Sequence, residues 1–166
     1  VEGTQVPLTF SGTYSGNVVA TGDTLSSAPG ANGSDSSDQV FTGPFTFEFT
    51  YAQAGNGVIG LMPAENVGVG VYNGAGFLMQ GESWRNSLAN TTQNGNFTVE
   101  EGDKVRFEVD DAGIITVFVN DIRLEDNQGR FAHDRGTTEY RIFVGSYLTT
   151  ATTTFEVTDV SIINSE

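Results

Sequence analysis

What most constrains this chain is strict two-residue alternation of apolar and polar side chains, recurring in separate runs. In PFTFEFTY, Phe45, Phe47, Phe49 and Tyr51 fall on one face, and Thr46, Glu48 and Thr50 on the other. A strand turns successive side chains to opposite faces, whereas a helix returns to one face about every 3.6 residues. DKVRFEV repeats the pattern, with Val105, Phe107 and Val109 inward and Lys104, Arg106 and Glu108 outward. EYRIFVG places Tyr140, Ile142 and Val144 together. In TFEVTDVSII the phase changes between Phe155–Val157 and Val160–Ile162, so a bulge or bend is expected near Thr158–Asp159. IITVFV, Ile114 to Val119, is apolar on both faces and reads as a central strand. Further strands are expected at Val6–Phe10, Asn17–Ala20, Val58–Met62, Val67–Tyr72 and Gly76–Gln80. Helix periodicity is almost absent. The expected fold is a single all-β domain over residues 1–166, two antiparallel sheets sharing a core of Phe45, Phe47, Phe49, Phe107, Val117, Ile142 and Val144.

The connections divide into tight turns and two long segments. Asp110-Asp111-Ala112-Gly113 suits a short hairpin loop, because Asp tolerates turns and Gly adopts positive φ readily. It joins Val105–Val109 to Ile114–Val119. Asn120 and Asp121 follow that second strand, so they are expected at the rim of the sandwich in a turn. Ser26–Gln39 and Gly81–Asn96 read as long polar loops.

Composition narrows the function classes. There is no cysteine, which excludes disulfides, thiolate metal sites and a cysteine nucleophile. Twenty-one acids against seven bases give a formal charge of −14, the wrong sign for a nucleic-acid footprint or a polybasic membrane patch. Charged residues are only 17% of the chain, so the surface is expected to be largely Ser, Thr, Asn, Gln and Gly, as in proteins that work outside cells. No apolar run approaches the roughly 20 residues of a membrane span. The chain opens at Val1 without a signal-peptide pattern and reads as processed or excised from something longer.

The stretch GDKVRFEVDDAGIITVFVND resembles the penultimate hairpin of concanavalin A-like sandwiches, the jelly-roll group that includes laminin-G, SPRY and many carbohydrate-binding modules. Gly102-Asp103-Lys104-Val105 and Val119-Asn120 match its G-D-x-V and V-N-G elements, while Asp121 stands where Gly is usual. FTFEFTY with GNGVIGLM is similar to the group's paired core strands, and YRIFVGSYLTTATTTFEVTDVSI to its last two. The resemblance implies an antiparallel two-sheet jelly roll. Function, by contrast, resides in the site rather than the fold.

Candidate chemistry is weighed residue by residue. His133 is the only histidine, and its neighbour Asp134 does not make a triad. Glu48, Glu65 and Glu82 are the more isolated acids, but nothing marks a carboxylate pair for glycoside hydrolysis. Asp35 and Asp38, and Glu125, Asp126 and Asn127, offer oxygens without a calcium-binding spacing, so calcium is left open and no cofactor is assigned. VGVGVY alternates Val67, Val69 and Val71 with Gly68 and Gly70. That is either a bare sheet face that a ligand approaches or a close internal contact. Beside it stand Tyr72 and Asn73, and in the second long loop Trp84, Arg85 and Asn86. Sugars are held by an aromatic surface together with planar amide or guanidinium groups, and these five residues supply both. Trp84 packed beneath the loop is the competing reading.

The expected function is non-catalytic recognition of a glycan on an extracellular or virion surface, through Tyr72, Asn73, Trp84, Arg85 and Asn86. The alternative is a structural or adhesive protein of a larger assembly, with neighbouring protein subunits as partners. Nucleic-acid binding and membrane insertion are not expected, and an oligomer is possible.

Overall fold

The computed structural model describes residues 4–11, 18–27, 33–53, 57–65, 77–80, 83–86, 99–124, 132–133, 136–146 and 154–164. Among them there is no helix, and every strand pairing is antiparallel. The strands are β1 (Thr4–Gln5), β2 (Val18–Thr21), β3 (Thr24–Ser27), β4 (Gly33–Ser36), β5 (Phe41–Thr42), β6 (Phe45–Gln53), β7 (Gly57–Pro63) and β8 (Phe77–Gln80). They continue as β9 (Ser83–Asn86), β10 (Lys104–Val109), β11 (Ile115–Val119), β12 (Ile122–Arg123), β13 (Ala132–His133), β14 (Glu139–Ser146) and β15 (Phe155–Asn164).

These strands form two sheets. The first runs β12-β11-β10-β6-β15-β3-β2, with β1 also on β15 and β13 on β11. The second runs β4-β14-β7-β8-β9, with β5 also on β14. The alternation in the sequence becomes the core. Phe45, Phe47, Phe49 and Tyr51 of β6, with Val105, Phe107 and Val109 of β10, form one buried cluster with Ile59, Leu61, Tyr140, Ile142 and Val144 of the second sheet. All seven expected core residues are buried. Phe47 lies opposite Phe107 with ring centroids 5.8 Å apart, and 5.2 Å from the Phe49 ring.

The expected bend is present. β15 shifts register against β6 between Thr158 and Ser161, and Asp159 has a φ of 52°. Two other expectations hold in outline. The β10–β11 loop is held by the Asp110 carboxylate, which accepts from the amides of Ala112 and Ile114, and Gly113 sits at φ 82°. Asn120 and Asp121, at φ 50° and 64°, form the two-residue turn joining β11 to β12. Positive φ at both central residues is the type I′ requirement, and Asn and Asp meet it better than other non-glycine residues.

Elsewhere the structure corrects the sequence. β11 is not central, since only the two-residue β12 and β13 lie beyond it. Its outer face carries the half-buried Phe118, covered by the Arg106 guanidinium 4.4 Å from the ring centroid rather than by another layer. Among the strands whose burial is described throughout, the fully buried one is β7. The Ser26–Gln39 segment contains β4, paired with β14, and Gly81–Asn96 contains β9, paired with β8. Backbone pairing decided these, against polar composition. Val6–Phe10 is not a strand; the pairing with β15 is made by β1, just before it. Val67–Tyr72 lies outside the described residues.

Candidate functional site

The two sheets differ in what they turn outward. On the first, the outer face is a charge ladder. Lys104 pairs with Glu48 at 3.0 Å, and Arg106 bonds Glu108 at 2.9 Å and also Asp121. Burial of Arg106 opposes its charge, but the bonds to Asp121 and Glu108 outweigh that and raise its pKa above the ordinary arginine value. Asp121, at the position where the jelly-roll hairpins carry Gly, is thus an ion-pair partner as well as a turn residue. Asn120 fixes the same corner, accepting from the Lys104 amide and donating to the Asp103 carboxylate.

On the second sheet the face away from the shared core is largely apolar, and its apolar residues are buried. Val58, Met62 and Phe143 are buried but lie outside the shared core cluster, on the opposite side of their strands from Ile59, Leu61, Ile142 and Val144. Arg141 is paired with Met62 and donates to the carbonyls of Ala64 (3.1 Å), Ser37 (2.9 Å) and Asp38 (3.0 Å), tying two connections to the sheet.

Three of the expected ligand residues, Trp84, Arg85 and Asn86, lie in β9, where their backbones pair with Met79, Leu78 and Phe77 of β8. Tyr72 and Asn73 lie outside the described residues, as do Glu82, Glu125, Asp126 and Asn127.

The other candidates have structural employment. Glu48 is committed to Lys104, and Glu65 is exposed in a turn. His133 is in β13, with its backbone opposite Ile115. Asp38 accepts from the Ser11 hydroxyl at 2.6 Å, the Thr9 hydroxyl at 2.7 Å and the Ser11 amide at 3.0 Å. Those bonds, the Ser11 hydroxyl foremost, lower its pKa. Asp38 thereby stitches the N-terminal segment, which leaves the first sheet at Val6, to the second. Among the described residues no group of three or more His, Asp or Glu is arranged to hold a metal.

One feature was not anticipated from sequence. β1 and β3 lie end to end on the same side of β15, at Ile163–Asn164 and Phe155–Val157. Between them, beside the bulge, a groove of about 420 Å³ opens, lined by Val6, Pro7, Leu8, Gly22, Asp23, Leu25 and Val160. The phase change at Asp159 signalled the bulge. The meeting of three distant segments left no local signal.

No family model matches the chain, and no curated protein matches it in sequence. Solved structures do match in fold. The SPRY domain of human HERC1 aligns over 95% of this chain and 99% of its own, with a TM-score of 0.61 at 15% identity. The carbohydrate recognition domain of Emp46p, in its potassium-bound form, aligns over 93% and 88%, with a TM-score of 0.59 at 13% identity. A candidate glycosyl hydrolase from Parabacteroides distasonis aligns over 89% and 90%, with a TM-score of 0.56 at 10% identity. Identities this low speak for the fold alone. On its two antiparallel sheets and these likenesses, the chain is a concanavalin A-like jelly-roll sandwich.

Proposed function

We propose that the chain is a non-catalytic recognition domain that binds glycan, working on an extracellular or virion surface. The observation that carries this reading is the two-sheet sandwich itself, a fold it shares with carbohydrate recognition domains. An aromatic surface beside planar amide or guanidinium donors suits a sugar ring, which offers C–H faces and hydroxyls. Carbohydrate recognition and carbohydrate-binding domains among the fold neighbours support the same class. The proposed contacts are Tyr72, Asn73, Trp84, Arg85 and Asn86.

A glycan array read with and without calcium, followed by single substitutions at these residues, tests this. Arg85→Ala is expected to lose glycan binding with an unchanged melting temperature. Absence of binding by the parent chain to any glycan would overturn the reading in favour of a structural or adhesive role. Exposed Val19, Val40 and Ile122 are what a protein-facing surface would use in that case.

A further inference from the structure

The groove beside the β15 bulge has a chemistry that the glycan reading does not use. Its walls are aliphatic: Val6, Pro7, Leu8, Leu25 and Val160. Among the described residues no aromatic ring lines it to offer a sugar a stacking surface. Its volume of about 420 Å³ falls within the range typical of small-ligand pockets. The groove reaches the core, since Leu25 belongs to the buried cluster and Val6, Leu8 and Val160 pack against it. Among the described residues Asp23 is the one charged side chain in the lining, and it is exposed.

The groove is also built rather than incidental. Gly22, at φ 61°, and Asp23 form the two-residue turn between β2 and β3. The Asp23 carbonyl accepts from the Val160 amide at 2.9 Å, and the Ile162 carbonyl accepts from the Val6 amide at 3.2 Å. Both walls are thus bonded to β15, at the bulge and just past it. Next to Val160, Asp159 holds a left-handed conformation that non-glycine residues seldom adopt. Such outliers concentrate at ligand clamps.

We propose that this groove binds a short aliphatic chain ending in an ammonium group, with the chain against Val6, Leu8, Leu25 and Val160 and the ammonium at the Asp23 carboxylate. A carboxylate-headed chain is disfavoured by the same charge. The chemistry is shared by free alkylamines and by the side chain of lysine.

The test uses the whole chain, with hexylammonium, hexanol, hexanoate and a capped Gly-Lys-Gly peptide titrated while methyl resonances are followed by NMR. Hexylammonium is expected to move the methyls of Val6, Leu8, Leu25 and Val160 and to bind about fivefold more tightly than hexanol, the upper end for one exposed ion pair. Hexanoate should bind more weakly than hexanol. Binding of the peptide at the same methyls assigns the lysine side chain as a source, and binding of hexylammonium alone assigns the free amine. Asp23→Asn keeps the backbone bond to Val160 and should abolish the preference for the ammonium. Asp111→Asn, which removes an equal charge from the β10–β11 loop, should not. Equal binding of hexylammonium and hexanol, methyl shifts elsewhere, or equal effects of the two substitutions would each overturn the proposal. None of these readouts involves a glycan.

Discussion

Phe47→Ala probes the centre of the sandwich. Phe47 is fully buried in β6, with β10 on one side and β15 on the other, opposite Phe107 and Ile162. Its ring also lies 5.2 Å from that of Phe49. Truncation removes the transfer free energy of the ring and leaves a cavity that neighbours on both flanking strands cannot close, a cost of about 3–5 kcal/mol. Urea denaturation reads this directly. With a slope of about 2 kcal/mol per molar, typical of small proteins, the midpoint should fall by about 2 M. Phe47→Leu retains most of the volume and should cost only about 1–1.5 kcal/mol. Phe118 is the internal comparison, being half-buried on the outer face beneath Arg106. Phe118→Ala should cost less than half as much as Phe47→Ala. If Phe47→Ala costs under about 1 kcal/mol, or no more than Phe118→Ala, the Phe face of β6 is not the centre of the core and the two-sheet packing is wrong.

Gly113 and Gly102 both hold positive φ, but a Cβ at Gly113 would collide with the Thr137 carbonyl, whereas one at Gly102 would meet nothing within 4 Å. Gly113→Ala should therefore destabilise well beyond the roughly 1–2 kcal/mol expected of Gly102→Ala from backbone conformation alone, as thermal melts of the pair would show. Tyr140→Phe removes the hydroxyl that donates to the Gly113 carbonyl inside the core, and should cost about 1–2 kcal/mol in chemical denaturation. Because the folded state lowers the pKa of Asp38, its contribution is complete above the unfolded aspartate value and is lost as pH falls through the lower folded one. The Ser11 amide resonance should accordingly titrate with a midpoint below that of an ordinary aspartate, and a midpoint at or above that value would refute the Asp38 clasp.

Some of this was legible in the chain itself. Alternation in β6, β10, β14 and β15 fixed which side chains face inward, because a strand leaves each residue only two directions and water selects between them. The turn at Asp110–Gly113, the left-handed pair Asn120–Asp121 and the bulge at Asp159 were legible for the same reason: each is decided by a few adjacent residues. Other features depended on distant partners. Phe118 looks like a core residue in sequence, and only the placement of Arg106 over it makes an outer-face position tolerable. Gly33–Ser36 and Ser83–Asn86 are polar and carry no strand pattern, yet the backbones of β14 and β8 recruit them through hydrogen bonds that are indifferent to side-chain type. The groove at Val160 needed Val6, Asp23 and Val160 to meet across 154 positions of chain, a juxtaposition set by strand order and recorded in no local stretch of sequence.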